Sequence, residues 1–364
     1  VRRCTVRVAP LLSTLAFSFV ALAALSSWAY RDYFTPEQKA LLEKIQTVRI
    51  EAIALADKGA VDAAPIAELV ARRIGELGYT VVREAGKPHD AVFKVKCEQR
   101  KTWEGTTAAG GDADLPDAPS RLWKGPACQL TYLLGDMKVK WQKEVRTEFE
   151  DAGQAAQSAN AGDPGTYAMG KLRDVLETYE FPLLLAAEWG QPERLLKLLD
   201  LSDTPQARRF KIISLVGEMQ ADEALPKLKE VLKDRDLSKQ AIGAMGNLGK
   251  EGIPLLVDIM NTSPQLELQA AAAKGLGQLG GTLGDASVVL PLLAKLEDPK
   301  TDWSVLTEVA WSLGKIPDKR SIQPLYDLDK KLQAMRDPEN VPLKKLKEAV
   351  FWSIKQCDTW DQFS

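Results

Sequence analysis

Few side chains in this sequence could carry out catalysis. His89 is the only histidine among the 364 residues, and it lies between Pro88 and Asp90 in a predicted turn. A histidine general base, or a cysteine nucleophile activated by histidine, would need this residue, but none of its immediate neighbours is Ser or Cys. We interpret His89 as a solvated turn residue and expect the protein not to be an enzyme.

The polar motifs also indicate no bound metal or cofactor. No two Cys or His residues have the spacing of zinc ligands, and Gly280-Gly281 lacks the downstream Lys and Ser or Thr of a phosphate-binding loop. Carboxylate pairs such as Asp234 and Asp236 fall at predicted repeat turns, where they cap helices or face water. We therefore expect no metal site and no cofactor.

Two of the four cysteines occupy inward-facing positions of predicted strands. Cys97 belongs to a strand over 91–100, and Cys128 follows a loop over 105–120 that is predicted to be disordered. In an exported chain this pair predicts a disulfide that closes the neck of the loop; the alternative is two buried, reduced thiols. Cys357 is then left over, as a partly buried free thiol or as a site of intermolecular pairing.

The N-terminus has the pattern of a secretory signal. Three arginines precede an apolar stretch over 8–25, and small residues up to Ala29 provide a site that a signal peptidase reads. We predict that 1–29 is a cleaved signal peptide. The alternative is an uncleaved anchor in the inner membrane, since the stretch approaches the length that spans a bilayer. Both interpretations place residues 36–364 outside the cytoplasm, in the periplasm or at a membrane surface.

Residues 36–150 are predicted to form a small α+β domain of two layers. The pattern gives a strand over 47–56, an amphipathic helix over 63–77 and a second short strand over 79–83. A three-stranded antiparallel meander follows. One face of this meander should pack on the helix, and the other should meet water.

The last hairpin of this domain is predicted in more detail. Gly135-Asp136 is a two-residue turn signal, and such a turn places Leu130 opposite Trp141. The apolar face is predicted to comprise Cys128, Leu130, Tyr132, Leu134, Met137, Val139 and Trp141. The order of elements resembles the small extracytoplasmic α/β domains of bacterial envelope proteins. That resemblance implies a role in envelope assembly or recruitment, not a reaction.

The rest of the chain divides into a linker and a repeat region. Residues 151–166 are small and polar and are predicted to form a flexible linker. Over 167–364, helices rich in small residues end near a Gly, and apolar helices then begin at a Pro. A helical hairpin of this kind cannot bury its apolar face alone, so the units are predicted to stack into an all-α solenoid. The handovers are Gly217 to Pro226, Gly246 to Pro254, Gly277 to Pro291 and Gly314 to Pro324.

These units resemble HEAT repeats, of the short type named for phycobilisome lyases. The resemblance rests on the helix ends over 244–248, 275–279 and 312–316, and on the helix starts at Pro254 and Pro291. The predicted fold is thus a small α+β domain followed by a HEAT-like solenoid. The resemblance implies a scaffold that binds another protein; the alternative is a lyase-like or other small-molecule-handling protein.

The second helices of the two central repeats are apolar nearly all round and carry the predicted binding surface. In this repeat class second helices line the concave side, so an apolar stripe there predicts a groove for a partner helix or an extended peptide. The alternative is that these side chains are buried between neighbouring repeats or under the first domain. The predicted contact residues are Leu255, Val257, Asp258, Leu292, Ala294 and Lys295.

Charge argues against nucleic acid as the partner. The chain has 48 Lys and Arg against 50 Asp and Glu, and no basic block is interleaved with aromatic residues. We therefore expect a non-enzymatic scaffold or assembly factor of the bacterial cell envelope. Its expected partner is another protein, with membrane proximity through the N-terminus.

Overall fold

The computed structural model describes residues 34–84, 86–106, 120–135, 137–335, 337 and 339–363. The chain divides into two compact units, 1–44 and 45–364. In the first unit the described residues contain helix α1, Pro36–Glu43. Thr35 begins this helix with a capping box, in which its backbone N–H donates to Gln38 Oε1 at 2.9 Å. The predicted signal peptide, 1–29, lies outside the described residues.

The second unit begins with a mixed sheet of six strands. The strands are β1 (Thr47–Ala56), β2 (Gly59–Val61), β3 (Thr80–Val82), β4 (Ala91–Thr106), β5 (Ser120–Leu134) and β6 (Met137–Arg146). Their order is β2-β1-β4-β5-β6, with β3 also paired to β1. β1 runs parallel to β3 and β4, because helix α2 (Ala64–Gly75) provides the crossover that a parallel pair needs. The predicted disordered loop lies outside the described residues, apart from its ends in β4 and β5.

The β5–β6 hairpin starts in the predicted register and then shifts. Leu134 pairs with Met137 across the turn, but Leu130 pairs with Lys143 and not with Trp141, so that prediction was wrong. A turn signal determines only the residue pairs next to the turn. A bulge further along the hairpin cannot be predicted from the alternation of apolar and polar residues, because that alternation is unchanged here. Across the bulge β5 advances two residues and β6 four, which preserves the predicted apolar face. Its buried members are Cys128, Leu130, Tyr132, Val139 and Trp141, with Leu134 and Met137 half-buried.

The segment predicted as a flexible linker, 151–166, contains regular structure instead. It holds helix α3, Ala152–Ser158, and the first residues of helix α4, Pro164–Thr178. Asp151 and Asp163 cap these helices by accepting hydrogen bonds from backbone N–H groups. The small side chains that suggested flexibility allow close packing, and α4 lies beside α2 against the sheet. These helices therefore extend the α layer of the first domain.

The remaining helices form the solenoid, as predicted. They are α5 (Phe181–Glu188), α6 (Pro192–Leu199), α7 (Gln206–Glu218), α8 (Leu225–Val231), α9 (Ser238–Met245), α10 (Ile253–Thr262), α11 (Leu266–Leu283), α12 (Val289–Glu297), α13 (Trp303–Lys315), α14 (Lys319–Gln333) and α15 (Val341–Phe363). The odd-numbered helices are the first helices of the repeats, and each contacts the next one along the row. Among the described helices, none is both long and apolar enough to cross a membrane.

Small residues let neighbouring first helices approach backbone to backbone. A Cβ added to Gly246 would lie 2.8 Å from the Cα of Gly275, and one added to Gly277 would lie 2.7 Å from the Cα of Ser312. Ser312 also donates a hydrogen bond to the carbonyl of Ala273 at 2.9 Å. The Gly repeat in the sequence therefore marks the contact between successive repeats.

Candidate interaction surface

The residues that could carry chemistry lie apart from one another. His89 has its Nδ1 2.8 Å from the carbonyl oxygen of Lys87, in the turn before β4. Cys357 is fully buried in α15, and burial raises the pKa of its thiol. Within the ranges that the structure describes, His, Cys, Asp and Glu side chains do not gather in groups of three that could hold a metal ion.

Cys97 and Cys128 form the disulfide that the sequence predicts. The two residues face each other directly on β4 and β5, and both are fully buried on the inner face of the sheet. The bond spans 31 positions in sequence. A loop of this length corresponds to a stabilisation of about 2–4 kcal/mol, mainly through restriction of the unfolded chain. The disulfide therefore fixes the sheet against which the solenoid packs.

An aromatic core joins this sheet to α5. Phe93 on β4 stacks on Phe181 with ring centroids 5.6 Å apart, and Tyr132 on β5 meets Trp189 edge-on at 5.5 Å. All four side chains are fully buried. Aromatic side chains of this size dominate the energetics of a core. The sheet and the start of the solenoid consequently share one hydrophobic core.

Arg194 on α6 completes this junction with polar contacts. Arg194 is 7% exposed, and its guanidinium donates to the carbonyl of Leu77 at 2.8 Å, just beyond the end of α2. It also lies over the ring of Tyr79, 3.9 Å from the centroid. Burial raises the pKa of Tyr79, so its neutral hydroxyl donates to Gln191 Oε1 at 2.8 Å. A buried cation is costly unless it is hydrogen-bonded, and these groups provide the bonds.

Four alternating charges link α2 to the solenoid at the edge of this core. Arg73 lies 3.1 Å from Glu180, and Arg208 on α7 lies 3.3 Å from the same carboxylate. Arg208 also lies 3.0 Å from Glu76, next to the end of α2. Isolated surface ion pairs contribute little, but a network in which the charges hold each other in place contributes more. The network further fixes the position of the solenoid on the first domain.

The second helices can be aligned by the position of one buried leucine in each. In the four repeats from α7 to α14, a cap residue precedes the second helix or the short 3₁₀ turn before it, and the seventh residue after the cap is a fully buried leucine. The cap and leucine pairs are Ala221 and Leu228, Gly249 and Leu256, Asp285 and Leu292, and Asp318 and Leu325. Buried leucines thus define equivalent positions that the prolines do not.

The prolines that served to align the repeats occupy two different registers. Pro226 and Pro254 fall five residues after the cap, whereas Pro291 and Pro324 fall six residues after it. Helix α14 begins at Lys319 and contains Pro324 in its interior, so the prediction that this proline opens the helix was wrong. Proline restricts its own φ and removes one donor, and neither effect specifies which helix face is buried.

The corrected register separates the predicted contact residues into three classes. Leu292 is fully buried, so in this structure it belongs to the core and the burial alternative applies to it. Leu255 lies six residues after its cap and Leu292 lies seven after its own, so the two positions are not equivalent. Asp258 and Ala294 are exposed and occupy equivalent positions, nine residues after the cap. The half-buried members are Leu255, Val257 and Lys295.

An exposed apolar side chain in the same row was not predicted from the sequence. Leu290 on α12 is 57% exposed and occupies the position of Pro254 on α10. The position of Leu290 around the helix could have been read from the sequence spacing. Leu290 lies four residues before the exposed Ala294 and therefore on the same face, whereas Leu292 points into the core.

Carboxylates recur at one exposed position along the row of second helices. Three of the four repeats carry an acidic residue nine positions after the cap. The residues at this position are Glu230, Asp258, Ala294 and Asp327, and all are exposed. The exposed face of α8, α10, α12 and α14, which we call the second-helix face, therefore combines Leu290 with negative charge. Such a surface is complementary to an apolar side chain flanked by Lys or Arg.

Comparison with known families identifies the repeats. The family model for HEAT repeats matches residues 192–277 and 253–336. No curated protein matches the chain. The comparison does not distinguish the phycobilisome-lyase type, which stays a prediction. Residues 192–336 are HEAT repeats, a kind of repeat that generally mediates protein interactions.

Proposed function

We propose that this protein is a non-enzymatic scaffold of the bacterial cell envelope that binds another protein through its second-helix face. The observation that carries the proposal is Leu290, an apolar side chain that is 57% exposed on a HEAT repeat, in a row of second helices that carries exposed carboxylates in three other repeats. A partner with an apolar anchor and basic neighbours fits this surface. Asp258 and Ala294 would contact the same segment.

The junction with the sheet supports a role as a rigid platform. The shared aromatic core, the bonds of Arg194 and the network around Arg208 hold the repeats on the first domain. A platform that is already ordered loses little conformational entropy when a partner binds. Binding energy from a few exposed side chains is then sufficient for recognition.

The location in the envelope is supported by two independent features. The first is the signal pattern over 1–29 in the sequence. The second is the disulfide between Cys97 and Cys128, since such bonds persist in oxidising compartments and are rare in the cytosol.

Site-specific cross-linking in cells tests the binding surface. A photoreactive amino acid replaces Leu290 in one strain and Phe210 in a second strain. Phe210 is the matched control, because it is apolar and 47% exposed but lies on the first helix α7. We expect one dominant protein adduct from position 290 and much less from position 210. Equal adducts from both positions, or none from position 290, would contradict the proposal.

A second experiment separates loss of binding from loss of folding. With the photoreactive amino acid moved to the exposed Ala294 on the same face, Leu290→Asp should abolish recovery of the cross-linked partner. The thermal melting of the purified protein should stay unchanged, because the Leu290 side chain faces water. Phe210→Asp should leave both unchanged. Recovery of the partner by Leu290→Asp at the wild-type level would argue against the second-helix face.

Thiol trapping tests the location. Cells are quenched in acid, and free thiols are labelled with a mass-tagged maleimide under denaturing conditions. We expect Cys97 and Cys128 to be unreactive in the native protein and reactive after deletion of 1–29, which should retain the chain in the reducing cytosol. The free Cys357 is labelled in both cases, so the test depends on the other pair. Labelling of Cys97 and Cys128 in the native protein would contradict an exported location.

A further inference from the structure

The outer face of α15 occupies a position that other first helices use for stacking. Ser353 of α15 donates to the carbonyl of Ala310 at 2.6 Å, as Ser312 of α13 donates to the carbonyl of Ala273 at 2.9 Å. These equivalent bonds fix the alignment of α15 with the preceding first helices. In α13, the carbonyl that accepts the bond from α15 belongs to Ala310, two residues before Ser312. The residue two before Ser353 is therefore the one whose carbonyl would face a further helix. In α15 this residue is Phe351.

Phe351 differs from its equivalents in exposure. The equivalent residues of the four preceding first helices have no exposed surface, because the next first helix covers them; they are Ile213, Ile242, Ala273 and Ala310. Phe351 is 58% exposed. In the part of the chain that the structure describes, no further helix packs on this face of α15.

A further HEAT repeat does not suit this face. The first helices approach their neighbours through Gly217, Gly246, Gly277 and Gly314. The equivalent position of α15 holds Lys355, whose ammonium lies 4.5 Å from the ring centroid of Phe351. A long charged side chain prevents the close backbone contact that glycine permits. The occupant of this face must therefore be held by side chains.

The charges around Phe351 identify such an occupant. Lys344, Glu348, Lys355 and Asp358 fall with Phe351 in one stripe of the helix, within an arc of about 80° at roughly 100° per residue. Their order along the stripe is positive, negative, Phe, positive, negative. A second copy of α15 placed antiparallel puts Lys344 opposite Asp358 and Glu348 opposite Lys355, with the two Phe351 rings at the centre. A parallel copy would place like charges together.

Two of these charges lack partners and the other two have modest ones. The side chains of Lys344 and Glu348 make no ion pair among the described residues. Lys355 lies over Phe351, and Asp358 accepts a hydrogen bond from the hydroxyl of Tyr326 at 2.6 Å. All five residues of the stripe remain accessible to a second chain, since Asp358 is half-buried and the others are exposed.

We propose that the protein forms an antiparallel homodimer through α15, with the dyad at Phe351. The same patch then serves both subunits, as a two-fold interface requires. One helix face buries little area, so the dimer forms and dissociates with concentration and weakens as salt screens its ion pairs.

Sedimentation velocity of the purified protein over a range of concentrations tests the proposal through charge reversal. Lys355→Glu places the new carboxylate opposite Glu348 of the second copy on both sides of the two-fold axis, and the protein should become monomeric. The double variant Glu348→Lys with Lys355→Glu restores complementary pairs, and dimerisation should return. Phe351→Asp should also give a monomer. The melting temperatures of all variants should match that of the native protein, since these side chains face water.

The alternatives give distinct results. A native protein that is monomeric at every concentration would overturn the proposal. So would a dimer that survives both Lys355→Glu and Phe351→Asp, because it would use another surface. Failure of the double variant to recover would show that Lys355 does not pair with Glu348 of the second copy, and the antiparallel arrangement would be rejected.

Discussion

In the first helices from α7 to α13, the position of closest contact with the next repeat holds glycine, whereas the outer positions of the second helices change from repeat to repeat. Close backbone contact leaves no room for variation at Gly246, where even a methyl group would meet the neighbouring helix. At the outer position of the second helices, Pro254 in one repeat becomes Leu290 in the next. Packing therefore restricts the residue types at the contacts between first helices, whereas the outer positions of the second helices can vary and so can serve recognition.

The largest effect should come from a pair of leucines two residues apart on α12. Leu292→Ala removes a fully buried side chain and should lower the free energy of unfolding by about 2–5 kcal/mol, through lost burial and a residual cavity. Leu290→Ala should change it by less than about 0.5 kcal/mol, because the side chain is 57% exposed. Urea unfolding followed by circular dichroism measures both. Similar losses for the two variants would show that the second-helix face is not free.

A pair of glycines in one repeat should give smaller effects of opposite sign. Gly246→Ala forces a Cβ to within 2.8 Å of the backbone of Gly275 and should destabilise the protein by about 1–3 kcal/mol. Gly243→Ala lies within α9 and meets no atom within 4 Å, so its better helix propensity should stabilise the protein by about 0.5–1 kcal/mol. Thermal melting distinguishes the two. An increase in melting temperature for Gly246→Ala would refute the close contact between first helices.

The sequence predicted the repeats because their signals are local. A Gly at a helix end and a Pro near the next helix start report backbone requirements of that segment alone. The register of the second helices depends on which side chain reaches the core. The burial of Leu256 and Leu292 defines that register, and burial is seen only in the folded structure. Alignment on prolines therefore found the four hairpins from α7 to α14 but placed Leu292 on the binding surface and overlooked Leu290.

The junction was harder to predict for the same reason. Composition described 151–166 as a linker, because Ala, Ser and Gly are common in flexible segments. Small residues are equally suited to helices that pack closely, and the deciding contacts come from distant strands. Phe93 and Phe181 stack in the core although 88 positions separate them, as 181 − 93 = 88. Nothing in the pattern around either residue indicates the other.

The smallest effect concerns the caps of the second helices, which also vary among repeats. Asp318 caps α14 by accepting the backbone N–H of Arg320 at 2.8 Å, where another repeat has Ala221. Its pKa is lowered, chiefly by the hydrogen bond from the Arg320 side chain. A carboxyl whose pKa is lower in the folded state stabilises the protein above its unfolded value of about 3.9, and this stabilisation is lost as pH falls through the folded pKa.

Asp318→Asn keeps a capping acceptor but removes the charge that attracts Arg320. At pH 7 it should lower stability by less than about 1 kcal/mol, since the pair is partly exposed. The melting temperatures of the native protein and Asp318→Asn should converge between pH 5 and pH 2, roughly the range in which the carboxylate becomes protonated. Asp302→Asn provides a control on the first helix α13, because Asp302 caps its helix without an arginine partner. A difference between native and Asp318→Asn that stays constant down to pH 2 would show that the cap acts through its shape and not through its charge.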